Sequence, residues 1–452
     1  MTRNVIMSLV FIAAATMSWS AAQAESLEAA LVATYTNNPS LLAQRAALRA
    51  TDEGVNQALS GWRPTVSFAA SLEARRLDTN LTTKTTSLQP RTLSLSVTQS
   101  LYRGGRTLAG IDSAEAAVAS GRAQLQVVEQ QVLLGTVTAY LNVLRDQALV
   151  QLNQNNVSVL QRQFDATSDR FEVGELTRTD VSQAESRLSR AISDLVQAEG
   201  NLESGRAGYE TLVGNRPGVL ERVPPLAGLP LNVEDAIAVA LERNPSLLLA
   251  AGTERASALS VRSARGVLLP TVTLSAAYAR SDEATSRTSE STSSTLTASV
   301  SIPLYQSGSE YSDIRELAQT NNRRRIEVEE SRRAVIEDVT QAWERLNTAS
   351  ARIRSRVEEV ASAEVALDGV RQEAEVGSRT TLDVLDAEQE LLDARVLLLT
   401  SERDEYVAGF DLRAAIGQLT AADIGLPVTI YDPIEYYSQI RNRLIGTRIS
   451  DQ

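Results

Sequence analysis

Leu93-Ser94-Leu95-Ser96-Val97-Thr98-Gln99-Ser100-Leu101-Tyr102-Arg103-Gly104-Gly105 is the stretch in which this chain changes its period. Up to Thr98, apolar and polar residues alternate, which puts one kind of side chain on each face of a strand. Beyond Gly104-Gly105 the apolar residues step by three and four, as in Leu134, Val137, Leu141, Leu144 and Ala148, and no proline intervenes before Phe171. A helix of that length extends on the order of 100 Å, well past ordinary globular helices, so the run reads as coiled coil.

The same switch occurs twice. Leu304-Tyr305 repeats Leu101-Tyr102 at an offset of 203 residues, and so do Val376-Gly377 after Val173-Gly174, Asp383-Val384 after Asp180-Val181 and Gly417 after Gly214. Upstream, Asn244-Pro245-Ser246-Leu247 repeats Asn38-Pro39-Ser40-Leu41, and Pro270-Thr271-Val272 repeats Pro64-Thr65-Val66, at an offset of 206. One three-residue length change reconciles the offsets, so the chain is two copies of one unit. The expected organisation is a leader over 1–24, a first repeat over 25–214, a linker over 215–232 rich in proline, a second repeat over 233–417 and a tail over 418–452. Each repeat is expected to hold a broken helix, a β-hairpin (65–101; 271–304) and two long helices (105–171 and 177–213; 308–374 and 380–416). The tail carries Tyr431-Asp432-Pro433 and Tyr436-Tyr437, which have no copy in the first half.

Four segments alternate over about ten residues, the length that a tilted strand needs to cross a bilayer. Val66, Phe68, Ala70 and Leu72 form one apolar set; Val272, Leu274, Ala276 and Tyr278 form another. Alternation alone fits a soluble sandwich with one wet face equally well. The stretches Asp78–Arg91 and Asp282–Ser294 are rich in Thr, Ser and charge and read as long polar loops. Four strands cannot close a barrel, and open edges are not tolerated in lipid, so membrane strands here demand several copies.

Composition narrows the function. Aromatics are 4% of the chain, too few for a thick globular core, whereas Ala/Leu/Val helix seams need few rings. Arg3, the apolar run Val5–Ala15 and Ala22-Gln23-Ala24 match a secretory leader with a cleavage site. The net charge of −12 disfavours nucleic acid, which needs a basic surface. There is no cysteine and no histidine, which removes disulfides, a lipidated cysteine anchor, thiol nucleophiles, imidazole bases and the common zinc ligands. No enzyme, metal or cofactor is expected.

The repeat plan, the Leu-Tyr junctions and the run Val376-Gly377-Ser378-Arg379-Thr380-Thr381-Leu382-Asp383-Val384-Leu385-Asp386 closely resemble the TolC family of outer-membrane efflux proteins. The resemblance covers essentially the whole chain after the leader. It implies a mainly α fold with a β-barrel segment: a homotrimer whose twelve-strand barrel in outer-membrane lipid continues into a twelve-helix periplasmic tunnel. It also implies docking to a periplasmic adaptor and an inner-membrane ABC or RND transporter, in a tripartite efflux pump or type I secretion system of a Gram-negative bacterium. By position, Arg379 resembles the gate arginine of the periplasmic entrance, and Asp180, with Thr179 beside it, its acceptor on a neighbouring copy. Asp383 and Asp386 resemble the entrance acidic ring, and Val173, Gly174, Val376 and Gly377 the tips that meet the adaptor. Where the family prototype has a gate tyrosine this chain has Ala374, and Phe171 is the counterpart in the first repeat. The alternatives are solvated helix ends with no gate, and, for the whole chain, a soluble periplasmic coiled-coil scaffold or adaptor.

Overall fold

The computed structural model describes residues 25–77, 86–226 and 228–447. The leader expected over 1–24 and part of the first polar loop lie outside them. The first repeat comprises α1 (Leu27–Asn37), α2 (Pro39–Leu59), β1 (Thr65–Leu72), β2 (Arg75–Leu77), β3 (Thr86–Leu88), β4 (Arg91–Arg103), α3 (Arg106–Glu172) and α4 (Arg178–Val213). The second comprises α5 (Val233–Arg243), α6 (Pro245–Arg265), β5 (Thr271–Asp282), β6 (Glu290–Ser301), α7 (Ser309–Glu375) and α8 (Thr381–Ala415); α9 (Glu435–Ile440) follows. α3 and α7 each have 67 residues, about 100 Å of helix. Among the described residues no helix is long and apolar enough to cross a membrane.

The Asn-Pro repeats are helix starts and staples at once. Asn38 Oδ1 accepts from the Ser40 and Leu41 amides, and Pro39 fills the first helical position. Its Nδ2 donates to the Leu212 carbonyl at 2.9 Å, tying the α1–α2 bend to the end of α4. Asn244 does the same with Ser246, Leu247 and the Ala415 carbonyl at the end of α8. Both asparagines are buried, so each polar group there needs these partners.

The sheet order is β1-β4-β5-β6, all antiparallel, with β2 and β3 forming a separate two-stranded sheet. Its register sorts the side chains by row. Val66, Val97, Ala276 and Leu296 are aligned across the four strands, and Phe68, Leu95 and Tyr278 form the next row on that face. The opposite face holds Ser67, Ser96, Ala277 and Thr295, then Ala69, Ser94, Ala279 and Ser293. A bulge between Ser100 and Tyr102 brings Tyr102 into line with Val272 and Val300 on the apolar face. The apolar face is uncovered: Val66, Phe68, Leu72, Leu296 and Val300 are all exposed. The second polar loop is shorter than expected, because 290–294 belong to β6. Their Ser/Thr-rich composition looks loop-like, but β5 supplies partners, including Arg280 against Glu290 at 3.6 Å.

The largest apolar core joins α1, α2, α3 and α4 to the linker through Leu220 and Val223 and to the tail through Leu419, Ala421 and Leu426. The Tyr140 hydroxyl lies 2.7 Å from both the Glu25 and Glu221 carbonyl oxygens, closing the linker against the start of α1. The tail then runs back along the first repeat. Glu129 accepts from the Ala421 amide, Arg45 stacks on both Tyr35 and Tyr431, and Tyr436 donates to Glu53. Arg441 pairs with Glu115, and Arg122 lies over the Tyr437 ring.

Beneath this strap Asp52 is buried on α2, and its carboxylate oxygens meet no hydrogen-bond donor. Burial raises its pKa from 3.8 to about 6, with Arg122 opposing and Glu53 adding. The folded chain therefore binds this proton more tightly than the unfolded one. Stability from this group is full below pH 3.8 and is lost as pH rises through about 6. A shift of this size corresponds to roughly 1–3 kcal/mol at neutral pH. Asp52→Asn is expected to raise the melting temperature at pH 8 and to flatten its fall between pH 4 and 7, read by circular dichroism of the detergent-extracted protein. A variant that melts below the native chain at pH 8 would count against the assignment.

Candidate functional site at the helix tips

The two long hairpins turn by the same local chemistry. Gly174 and Gly377 sit at φ 81° and 77°, a left-handed conformation that glycine adopts without penalty. The Glu175 amide then donates to the Arg170 carbonyl, and the Ser378 amide to the Glu373 carbonyl, closing each helix end. Val173 and Val376, 73% and 81% exposed, lie at the tips, uncovered by any of the described residues.

Each returning helix opens with a capping box. The Thr177 hydroxyl and amide both donate to Asp180 Oδ2, at 2.7 and 2.9 Å, while the Asp180 amide donates back to Thr177 Oγ1. Thr380 and Asp383 repeat this, at 2.8 Å for both bonds to the carboxylate. These bonds favour the ionised carboxylates: the Thr177 hydroxyl is the main cause of a lowered pKa at Asp180, and the Thr380 amide at Asp383. The capping threonine of α4 is therefore Thr177. Thr179 lies exposed on the first turn.

Arg379 is held inside its own tip. Its Nε donates to Glu373 at 2.8 Å, and that bond, with Asp383 nearby, raises its already high pKa. Within one chain Arg379 and Asp180 do not bond; they face a shared open cleft of about 800 Å³ between the two hairpins, which Ala374 also lines. Asp386 is not a bare carboxylate either, because Arg187 of α4 reaches it at 2.5 Å. Arg170 pairs with Glu175, and Arg371 with Glu388. Of the residues singled out from sequence, the structure gathers Asp180, Gly377 and Arg379 around one cleft and puts Asp386 on a link between hairpins. The sequence places Glu373 among the charges one turn before Gly377 but does not pair it with Arg379, and nothing local marks Arg187, 199 residues from its partner.

Two matches to the model of the outer membrane efflux protein family cover residues 30–215 and 236–418, one per repeat. The chain is 32% identical over 450 residues to the outer membrane efflux protein BepC of Brucella suis biovar 1 (strain 1330), spanning 99% of this chain and 98% of that one. It is 27% identical over 438 residues to the outer membrane protein TolC of Escherichia coli (strain K12), spanning 90% and 85%. The fold superposes on the Campylobacter jejuni CmeC outer membrane channel with a TM-score of 0.80 at 14% identity, over 92% of this chain and 89% of that one. The family and its solved neighbours are channel proteins. With its duplicated matches and its one-faced sheet at the far end of two long helical hairpins, this chain belongs to the outer membrane efflux protein family, placed in the outer membrane and extending into the periplasm.

Proposed function

We propose that three copies of the chain form a trans-periplasmic exit duct of a tripartite efflux pump or type I secretion system, opened by a periplasmic adaptor and an inner-membrane ABC or RND transporter. The observation that carries this is the sheet. It has one apolar face, one small polar face and two edges, β1 and β6, with no strand partner among the described residues. In lipid such edges must be paired, and β6 of one copy against β1 of the next repeats the β4–β5 pairing one step along the duplication. The helices support the same step. α3 packs on α6 within the chain, and its counterpart α7 would pack on α2 of the next copy, where Leu42, Ala43, Ala46, Ala47 and Ala50 lie exposed.

In this reading the exposed tips at Val173-Gly174 and Val376-Gly377 meet the adaptor. Asp383 and Asp386 ring the entrance, and Arg379 exchanges Glu373 for Asp180 of a neighbouring copy when the mouth closes. Exposed ion pairs contribute about 0–1 kcal/mol each, weak enough for a docking partner to undo. Single-particle images of detergent-purified protein should show three-fold symmetry and a length well over 100 Å, given the helix reach. In planar bilayers Arg379→Ala should raise the resting conductance. A water-soluble monomer would end the duct reading; unchanged conductance would remove Arg379 from the gate.

A further inference from the structure

The tail climbs the first repeat toward the foot of the sheet. Its contacts rise in order: Ala421 on Glu129, Tyr431 on Tyr35 and Arg45, then Tyr436 on Glu53. The Arg443 carbonyl finally accepts from Asn56 Nδ2 and Arg63 Nη1, both at 3.2 Å. Arg63 stands two residues before β1. Leu444 and Ile445 follow, 73% and 91% exposed, and Trp62, next to Arg63 in the chain, is exposed as well. In a duct, a strap on the inner side of α2 would stand in the passage, so the tail marks the outer wall.

The duplication carries this face onto the second repeat. An offset of 206 places Asn56, which the tail meets, on Arg262, and Leu59 on Arg265. The tail has no second copy to cover α6, and both arginines are exposed. They close α6 about one turn below the sheet. Arg63, Arg262 and Arg265 pair with no carboxylate among the described residues. The acids nearest this level are Glu310 and Asp313 at the start of α7, with Asp112 and Glu254 further down α3 and α6. The apolar rows of the sheet finish here too, with Tyr102, Val272 and Val300. The outer wall therefore runs from apolar rows through an aromatic level to unpaired guanidiniums. That is the order of one leaflet, from acyl chain through glycerol to phosphate.

We propose that the foot of the sheet is a docking surface for anionic glycerophospholipid in the periplasmic leaflet of the outer membrane. Leu444 and Ile445 enter the acyl chains, and Arg63, Arg262 and Arg265 take the phosphates. A guanidinium with no carboxylate beside it favours a headgroup of net negative charge over one that carries its own ammonium. The contact fastens the tail to the membrane and fixes the depth at which the tube hangs. It goes beyond the duct reading but rests on it, because the apolar face of the sheet must meet lipid.

Trp62 reports on this level. Once the leader is removed the tryptophans are Trp62 and Trp343, so Trp343→Phe leaves one. The purified full chain is reconstituted in phosphatidylcholine vesicles holding a minor share of phosphatidylglycerol, with brominated acyl chains on one lipid or the other. Per mole of lipid, brominated phosphatidylglycerol should quench Trp62 about threefold more than brominated phosphatidylcholine. Arg63→Gln with Arg262→Gln and Arg265→Gln should abolish that preference. Arg75→Gln with Arg76→Gln, exposed at the opposite end of the sheet, should keep it. Ile445→Trp, in a chain with Trp62→Phe and Trp343→Phe, should be quenched by either lipid. Equal quenching of Trp62 by the two lipids, which needs no arginine variant to observe, overturns the inference alone. So does a preference that survives the three arginine substitutions, or a tryptophan at 445 that neither lipid quenches. Protein that stays out of the vesicles altogether removes the lipid-facing sheet, and the duct reading falls with it.

Discussion

Gly266→Ala should leave the protein unable to assemble in the outer membrane. A Cβ at this position would lie 2.4 Å from the Gly104 carbonyl oxygen and 2.6 Å from Arg106 Cγ. The approach is reciprocal, since a Cβ on Gly104 would meet the Gly266 oxygen at 2.1 Å. Gly104 is also at φ 63°, where any other residue is strained. Arg106 could turn aside, but the Gly104 and Gly266 oxygens are backbone, so no side-chain rotation relieves that approach. The site is the seam where β4 turns into α3 and crosses the end of α6, so a shift there moves the sheet relative to the tunnel. Backbone displacement of this kind belongs with the severe substitutions, of order 3–5 kcal/mol or more. Gly200→Ala is the control: no atom lies within 4 Å of its Cβ and it sits inside α4, so roughly 0.5–1 kcal/mol of added helix stability is expected. The measurement is the yield of membrane-extracted, heat-resistant oligomer. Equal yields from the two variants would refute the packing argument.

Val97→Arg and Ser96→Arg should have opposite consequences although the residues are neighbours. Val97 stands midway along β4 in the row with Val66, Ala276 and Leu296, the apolar face, which meets lipid in the proposed duct. Arginine on the lipid face at the bilayer midplane costs about 2–4 kcal/mol. The proposed trimer would bear that three times, enough to stop assembly. Ser96 stands in the row with Ser67, Ala277 and Thr295, the small polar face, which lines the water-filled lumen in the proposed duct, and bonds Ser67 at 2.7 Å. Arginine there should leave assembly intact and lower both conductance and cation preference, because three positive charges would line the pore. Heat-resistant oligomer on gels and reversal potential in a salt gradient read the two outcomes. If Ser96→Arg blocks assembly and Val97→Arg does not, the faces are reversed.

The gate region shows how far local sequence reaches. Thr177 and Thr380 sit three residues before Asp180 and Asp383, a spacing that signals a capping box, whereas the resemblance drew attention to Thr179 beside Asp180. The resemblance pointed to Asp180 and Arg379 as charged residues of the mouth. In the folded chain Asp180 spends its carboxylate on Thr177, and Arg379 bonds Glu373. Such choices depend on which groups come within about 3 Å, and residue type and spacing do not supply that.

Two periods and one duplication carried the class of fold, because strand and helix repeats are properties of consecutive residues and survive in any environment. Alternation marked the segments that form the four-stranded sheet, and unbroken three-four spacing after each glycine turn marked the long helices. The tertiary structure alone decided the rest. Gly266 has an ordinary helical φ of −65°, and only its approach to Gly104 makes it irreplaceable. Asp52 looks like any surface acid on α2 until the chain folds over it, and Arg187 finds Asp386 only because α8 packs beside α4. Each of these joins residues far apart in the chain, and such contacts are set by how whole elements pack, which no local pattern encodes.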